Sequence, residues 1–260
     1  MKRFLLLSIT LTLSGCLGSG LSNNLSSTLG LSGLGFGGDN VYMTPEHALS
    51  IKTAGVISFI EPQARVHYVG PSFKESNLGY AVLPDWNAKA TITDLMEARL
   101  KQKGFRVIPI ETNIKIADAY SSSASFAVPM RVRERVLAVG KAHNVDMVVV
   151  VYRQLIKDFI SKSSQKVIGY GIYNRLADDV PYAYSVVHIE ALNTEKGYVL
   201  GKSNATVKLE LAPTAWQENF ETDKGQVRLN SHRADYVREN VVKALTDSVL
   251  IAAQESGISN

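Results

Sequence analysis

The sequence predicts an α/β fold: a mixed sheet with a parallel βαβαβ core, an antiparallel hairpin and a long C-terminal helix. Three observations carry this. Apolar runs at 54–60 (AGVISFI), 105–110 (FRVIPI) and 147–152 (MVVVVY) are separated by two segments with helical spacing. After Gln154 the pattern changes to alternating extended segments around a polar turn. The last segment places apolar residues four apart over several turns.

The elements follow in order. The run 54–60 reads as a first strand. A polar and aromatic connection, 61–90, follows and contains Pro62, Pro71 and Pro84. A loop this long in a compact domain is usually functional or badly assigned. Thr91 and Asp94 match an acidic capping pattern, and Ile92, Leu95, Met96 and Leu100 share one helical face. Gly104 suits the left-handed residue that ends a helix, and 105–110 gives the second strand. Pro129 fits a helical first turn. Val132, Val136, Val139, Gly140 and His143 share a face, and Asn144 ends that helix. The unbroken run 147–152 predicts a strand buried on both sides, as in a parallel sheet covered by helices. Residues 185–192 are then extended, 193–197 (NTEKG) turn, and Ala205, Val207, Leu209 and Leu211 alternate with polar residues on the return. From about Ser231, Val237, Val241, Leu245 and Val249 form a stripe widened by Ala234, Val242 and Ala252. Such a helix can lie across the sheet and close the core.

Three regions are expected: a leader over 1–15, an acylated flexible tether over 16–42, and a single α/β periplasmic domain over 43–260. Lys2 and Arg3 precede an apolar run, 4–13, interrupted by Ser8, Thr10 and Thr12. The run is short for a membrane-crossing helix, which needs ~20 apolar residues, and suits a signal peptide. Leu13-Ser14-Gly15-Cys16 follows and resembles the bacterial lipobox, whose cysteine thiol takes the lipid. Cys16 is the sole cysteine, so an acylated Cys16 leaves the mature chain no disulfide and no thiolate metal site. The resemblance further implies outer-membrane sorting, because Leu17 stands where an Asp would signal retention at the inner membrane. Residues 17–40 are rich in Gly, Ser, Leu and Asn without a sustained period, and read as a tether.

Charge points to no nucleic-acid partner. The formal net charge of +4 includes Lys2 and Arg3, and no basic run exceeds two residues. Neither a cofactor nor a metal is expected. His47, His67, His143, His188 and His232 show no ligand spacing. Ser163-Ser164-Gln165-Lys166 matches an SxxK pattern but lacks its partner motifs, Gly169-Tyr170-Gly171 lacks a third glycine, and no G-x-S-x-G elbow is present.

Two stretches read as possible interfaces. One is the aromatic set Tyr68, Phe73, Tyr80 and Trp86, set among Gly70, Pro71 and Pro84, which suits interface anchors or, more often in such loops, rings folded back over an apolar sheet face. The other is 166–173 (KVIGYGIY), with Ile168, Tyr170 and Ile172 on one side, suited to an edge strand, a subunit contact or half of a membrane hairpin.

The strand AGVISFI, the helix end LKQKGFRVI, the segment GKAHNVDMVVVV and the turn LNTEKGYVLG together resemble a known α/β domain. It is shared by the curli-secretion lipoprotein CsgG, the peptidoglycan-synthase activator LpoB and the N-terminal domain of TolB, and the likeness runs over about 53–254. The resemblance implies an envelope protein that is not an enzyme, anchored to the membrane through lipid, with an envelope protein partner or its own copies to bind. A secretion channel component of CsgG type is the first alternative and a periplasmic hydrolase the second. The 61–90 connection departs from the pattern, so no functional residue carries over.

Overall fold

A computed structural model describes residues 40–70, 76–82, 86–116, 130–176, 180–223, 226–229 and 234–259. The leader, Cys16 and the tether up to residue 39 lie outside the described residues, as does Phe73.

The fold is mixed α/β, as the sequence predicts. A short helix, α1 (Pro45–Ser50), has its first turn capped by the Thr44 hydroxyl. It leads to β1 (Thr53–Ser58), β2 (Gln63–Val69) and β3 (Asn77–Val82). Next come α2 (Ala88–Gln102), the two-residue β4 (Arg106–Val107) and α3 (Met130–Ala142). The strands β5 (Met147–Arg153), β6 (Leu155–Lys157), β7 (Lys166–Ile168) and β8 (Tyr170–Arg175) follow. The long hairpin is β9 (Tyr182–Asn193) and β10 (Val199–Glu210). A short helix α4 (Ala215–Asn219), a hairpin β11 (Phe220–Asp223) with β12 (Gln226–Leu229), and α5 (Ala234–Glu255) complete the described elements.

The main sheet is built from interrupted strand lines. One edge of β9 pairs with β10 along its length. Its other edge pairs first with β8, over Tyr182–Ser185, and then with β5, over Val187–Asn193. So β5 and β8 form one line along β9, broken by an excursion that carries the separate β6–β7 hairpin. In the next line β1 runs parallel to β5 and β2 parallel to β8. Beyond it β4 flanks β1 in parallel, and β3 flanks β2 antiparallel. The parallel core β4-β1-β5 with its crossovers α2 and α3 is the predicted βαβαβ unit.

Alternation along the strands fills both faces. Against one face lie Ile92, Met96 and Leu100 of α2, and Val237, Val241, Leu245 and Val249 of α5, over Met147, Val149, Val151, Val187 and Ile189. On the other face Val132 and Val136 of α3 cover Val148, Val150 and Leu192. Farther along, the β6–β7 excursion covers Tyr173, Tyr184 and Val186 with Ile156, Ile160 and Val167.

Several expectations are corrected. The connection 61–90 holds β2 and β3, because Arg65, His67 and Tyr68 interrupt what would otherwise be a legible apolar run. Helix α2 begins a turn before Thr91: Asn87 is the N-cap, its side chain accepting from Ala90 N at 3.1 Å. The strand expected over 105–110 shrinks to β4, although Ile108 N still donates to Ala54 O. Gly55 makes room for that segment, since a Cβ there would overlap the Ile110 side chain.

Candidate functional site

The predicted interface residues separate into core and surface. Tyr170 and Ile172 are buried, at 2% and 1% exposure. The stretch 166–173 is no single strand: it breaks at Gly169 (φ +67°) between β7 and β8. β8 is interior to the sheet, between β2 and β9, so its alternate residues pack inward. Gly171 is required there because a Cβ would run into the Arg65 carbonyl of β2. Tyr170 Oη donates to the Glu61 carbonyl at 2.6 Å, and Trp86 meets the Tyr170 ring edge-on at 5.5 Å. The Trp86 indole N–H donates to Thr91 Oγ1 at 3.0 Å. Tyr68 stacks on Trp216 at 5.7 Å and 20°. These aromatics cover the sheet. Ile168 is half-buried, and Tyr80 remains 51% exposed beside exposed Leu78 on β3.

Where the two strand lines are interrupted, charges gather that the sequence did not single out. Glu61 Oε2 is 2.9 Å from Arg65 and 2.5 Å from Arg153. The Arg65 guanidinium lies 4.2 Å from the Tyr80 ring centre and also donates to its hydroxyl. Glu61 thus ties β2 to the end of β5 across the break.

The excursion is held by a buried carboxylate. Asp158 accepts from Ile160 N (2.9 Å), Ser161 N (3.1 Å), Ser161 Oγ (2.7 Å), Ser163 Oγ (2.6 Å) and Tyr173 Oη (2.6 Å). Burial raises its pKa, but the bonds from Ser163, Tyr173 and Ser161 outweigh that and bring it to about 2. Burial, with the Asp158 bond second, pushes the Tyr173 phenol well above its ordinary value. Ser163, the serine of the SxxK match, is therefore a structural donor in a turn.

A polar seam crosses the α3 face. Arg133 of α3 pairs with the fully buried Glu190 of β9. Two residues away, His188 Nδ1 bonds Asn204 Oδ1 of β10, and its ring lies 4.7 Å from that of Tyr152. Burial pushes the His188 imidazole down to about 4; the Asn204 bond opposes this, while Lys202 and Arg133 add to it. The imidazole is thus buried and neutral, and its Nε2 has no hydrogen-bond partner among the described residues. His143 is a helix-end residue whose Nδ1 lies 2.9 Å from Val139 O.

An open cleft of about 510 Å³ lies at the C-terminal end of β1, with Ser58, Asn87, Lys89, Asp94 and Glu111 among its lining residues. Crevices at the carboxyl ends of parallel strands are common ligand positions in α/β folds. Among the described residues no group of three or more His, Cys, Asp and Glu side chains is arranged to hold a metal ion. No described helix is long and apolar enough to cross a membrane.

No protein-family model matches the chain, and no curated protein matches it. Among solved structures, it is similar to protein XCC0632 from Xanthomonas campestris, at 10% identity and a TM-score of 0.38, over 79% of this chain and 84% of that one. It is similar to lipoprotein GNA1162 from Neisseria meningitidis at 12% identity and a TM-score of 0.33, over 76% and 99%. It is also similar to the LpoB C-terminal domain from Salmonella enterica at 8% identity and a TM-score of 0.26, over 60% and 82%. Likeness of this degree carries no statement about what this chain binds or does.

Proposed function

We propose that the chain is a lipid-anchored envelope protein, held through Cys16 at the periplasmic face of the outer membrane. Its α/β domain binds a partner protein or its own copies and so supports envelope assembly or secretion, without catalysis. The observation that carries this reading is the N-terminal sequence: Lys2-Arg3, a short apolar run, then Leu13-Ser14-Gly15-Cys16. Two or more acyl chains give a stable anchor where one gives a marginal one.

The side chains support binding over chemistry. Glu190 is spent on a buried pair, Ser163 on the Asp158 turn, and His143 sits against its own helix, while His188 bonds Asn204 through Nδ1 alone. What the domain does offer is strand edge and exposed apolar side chains on β3. The channel alternative gains nothing from residues 166–173: the β6–β7 hairpin has three residues in each strand, against ~9–11 for a membrane-crossing strand.

Metabolic labelling with a palmitate analogue, followed by membrane fractionation, tests the anchor. The wild-type chain should carry label and sediment with the outer membrane, and Cys16→Ser should lose both. Leu17→Asp should move the labelled protein to the inner membrane. An unlabelled wild-type chain would overturn the reading.

A further inference from the structure

Among the described residues, the outer edge of β10 carries a single bridge. Val41 and Lys202 exchange backbone hydrogen bonds across it, at 3.0 and 2.7 Å, so the N–H and C=O of Lys202 point away from β9. Strand alternation turns the same groups of Asn204, Thr206, Lys208 and Glu210 outward. Leu211 N, one residue on, donates inward to Pro181 O, as that alternation requires. Among the described residues nothing pairs with this row. Folded proteins usually guard such an edge with proline, a bulge, short length or charged side chains, lysine above all. Here the row contains no proline and its register shift lies at Val199/Gly201, before the row begins; the charges it carries are Lys208 and Glu210, one of each sign.

We infer that this edge pairs antiparallel with the same edge of a second copy, about a two-fold axis at Val207. The inference rests on the reading of the domain as one that binds proteins. The register follows from the residues. An axis at Thr206 would set Glu210 against Lys202, which Val41 already occupies. An axis at Lys208 would set the two lysines against each other, and like charges directly opposite are unfavourable. An axis at Val207 uses the whole free row: Asn204 faces Glu210 and Thr206 faces Lys208, with no like charges opposed. On the α5 face Val207 and Ala205 are already covered within the chain, at 2% and 4% exposure, so the pairing is carried by the backbone row and the residues of the opposite face. This self-complementarity within one strand is what an isologous dimer needs, and an unrelated strand has no reason to share it.

The test uses the full acylated protein in mild detergent, with polypeptide mass measured by light scattering. Thr206→Pro removes an outward N–H and leaves the bonds to β9 in place, as an edge strand permits. Wild type and Thr206→Ala should run at twice the chain mass, and Thr206→Pro at the single mass with an unchanged circular dichroism spectrum. Should Thr206→Pro fail to fold, Thr206→Cys with Lys208→Cys decides: oxidation should cross-link two chains, whereas Asn204→Cys alone should not. A wild-type monomer, or a dimer indifferent to Thr206→Pro, overturns the inference. So does a different protein that co-extracts with wild type and is lost with Thr206→Pro. A larger assembly untouched by Thr206→Pro removes the edge but keeps the binding function, and a lone monomer without a partner counts against both.

Discussion

The two faces of one sheet are built on opposite chemistry, and β9 shows it within a single strand. Its residues Ala183, Val187, Ile189 and Ala191 enter an apolar core under α2 and α5, with Ser185 meeting Ser248 of α5 at 2.7 Å. Its residues Tyr184, Val186, His188, Glu190 and Leu192 face α3 and the β6–β7 excursion, and the middle of that row is polar. Apolar burial stabilises without specifying position, since any face of similar shape gains from it. Buried bonds specify position: Arg133 reaches one carboxylate, and Asp158 closes one turn. The apolar face is thus where two long helices lie down, and the polar face is where shorter pieces are held in register.

The comparison can be broken most sharply at Arg133→Ala. It leaves the buried Glu190 carboxylate without its guanidinium, and removing one partner of a buried pair costs about 3–5 kcal/mol. Urea unfolding should show that loss, and Arg133→Met combined with Glu190→Leu should recover most of it. A loss below about 1 kcal/mol would mean the seam specifies little.

The next effect is a pH dependence confined to the same face. The folded imidazole of His188 titrates near 4, below the ordinary value of about 6.5. Between these values the unfolded chain binds a proton that the folded chain refuses. Stability is therefore full above about pH 6.5 and falls as the pH drops toward 4, by about 3 kcal/mol. Lys202 and Arg133 face the ring as fixed cations and add to the effect. Unfolding measured from pH 7.5 to 4.5 should show the slope, and His188→Gln should flatten it. An unchanged slope in that variant would assign it to other groups.

The smallest effect is at Asp158, in a separate window. Its depressed pKa of about 2 means that its contribution is present above about pH 4 and is lost as the pH falls toward 2. Asp158→Asn should cost about 2 kcal/mol at neutral pH and expose the 158–165 turn to proteolysis. A protease pattern identical to wild type would show that Tyr173 and the serines hold the turn without the charge.

Much of the frame was legible because its signals are local. The stripe Ile92, Met96 and Leu100, the stripe Val132 and Val136, and the run of Val237 through Val249 each repeat at the helical period within a few turns. The run 147–152 and the alternation around 193–197 are equally local. The interface residues were less legible, because an aromatic at a given position reads the same whether it covers a sheet or meets a partner. Trp86 and Tyr170 turned inward, while Tyr80 stayed half-exposed over Arg65.

The sequence by itself determined the succession of strands and helices and the apolar stripe of each main helix, since these follow from side-chain period over a handful of neighbours. Only the tertiary structure decided that the polar stretch after Glu61 contributes two strands and that β5 and β8 form one broken line. It also decided that Glu190 finds Arg133 and that, among the described residues, nothing pairs with the row from Asn204 to Glu210. Each of these is a pairing between residues far apart in the chain, settled by which backbone and charged groups meet once the core has closed.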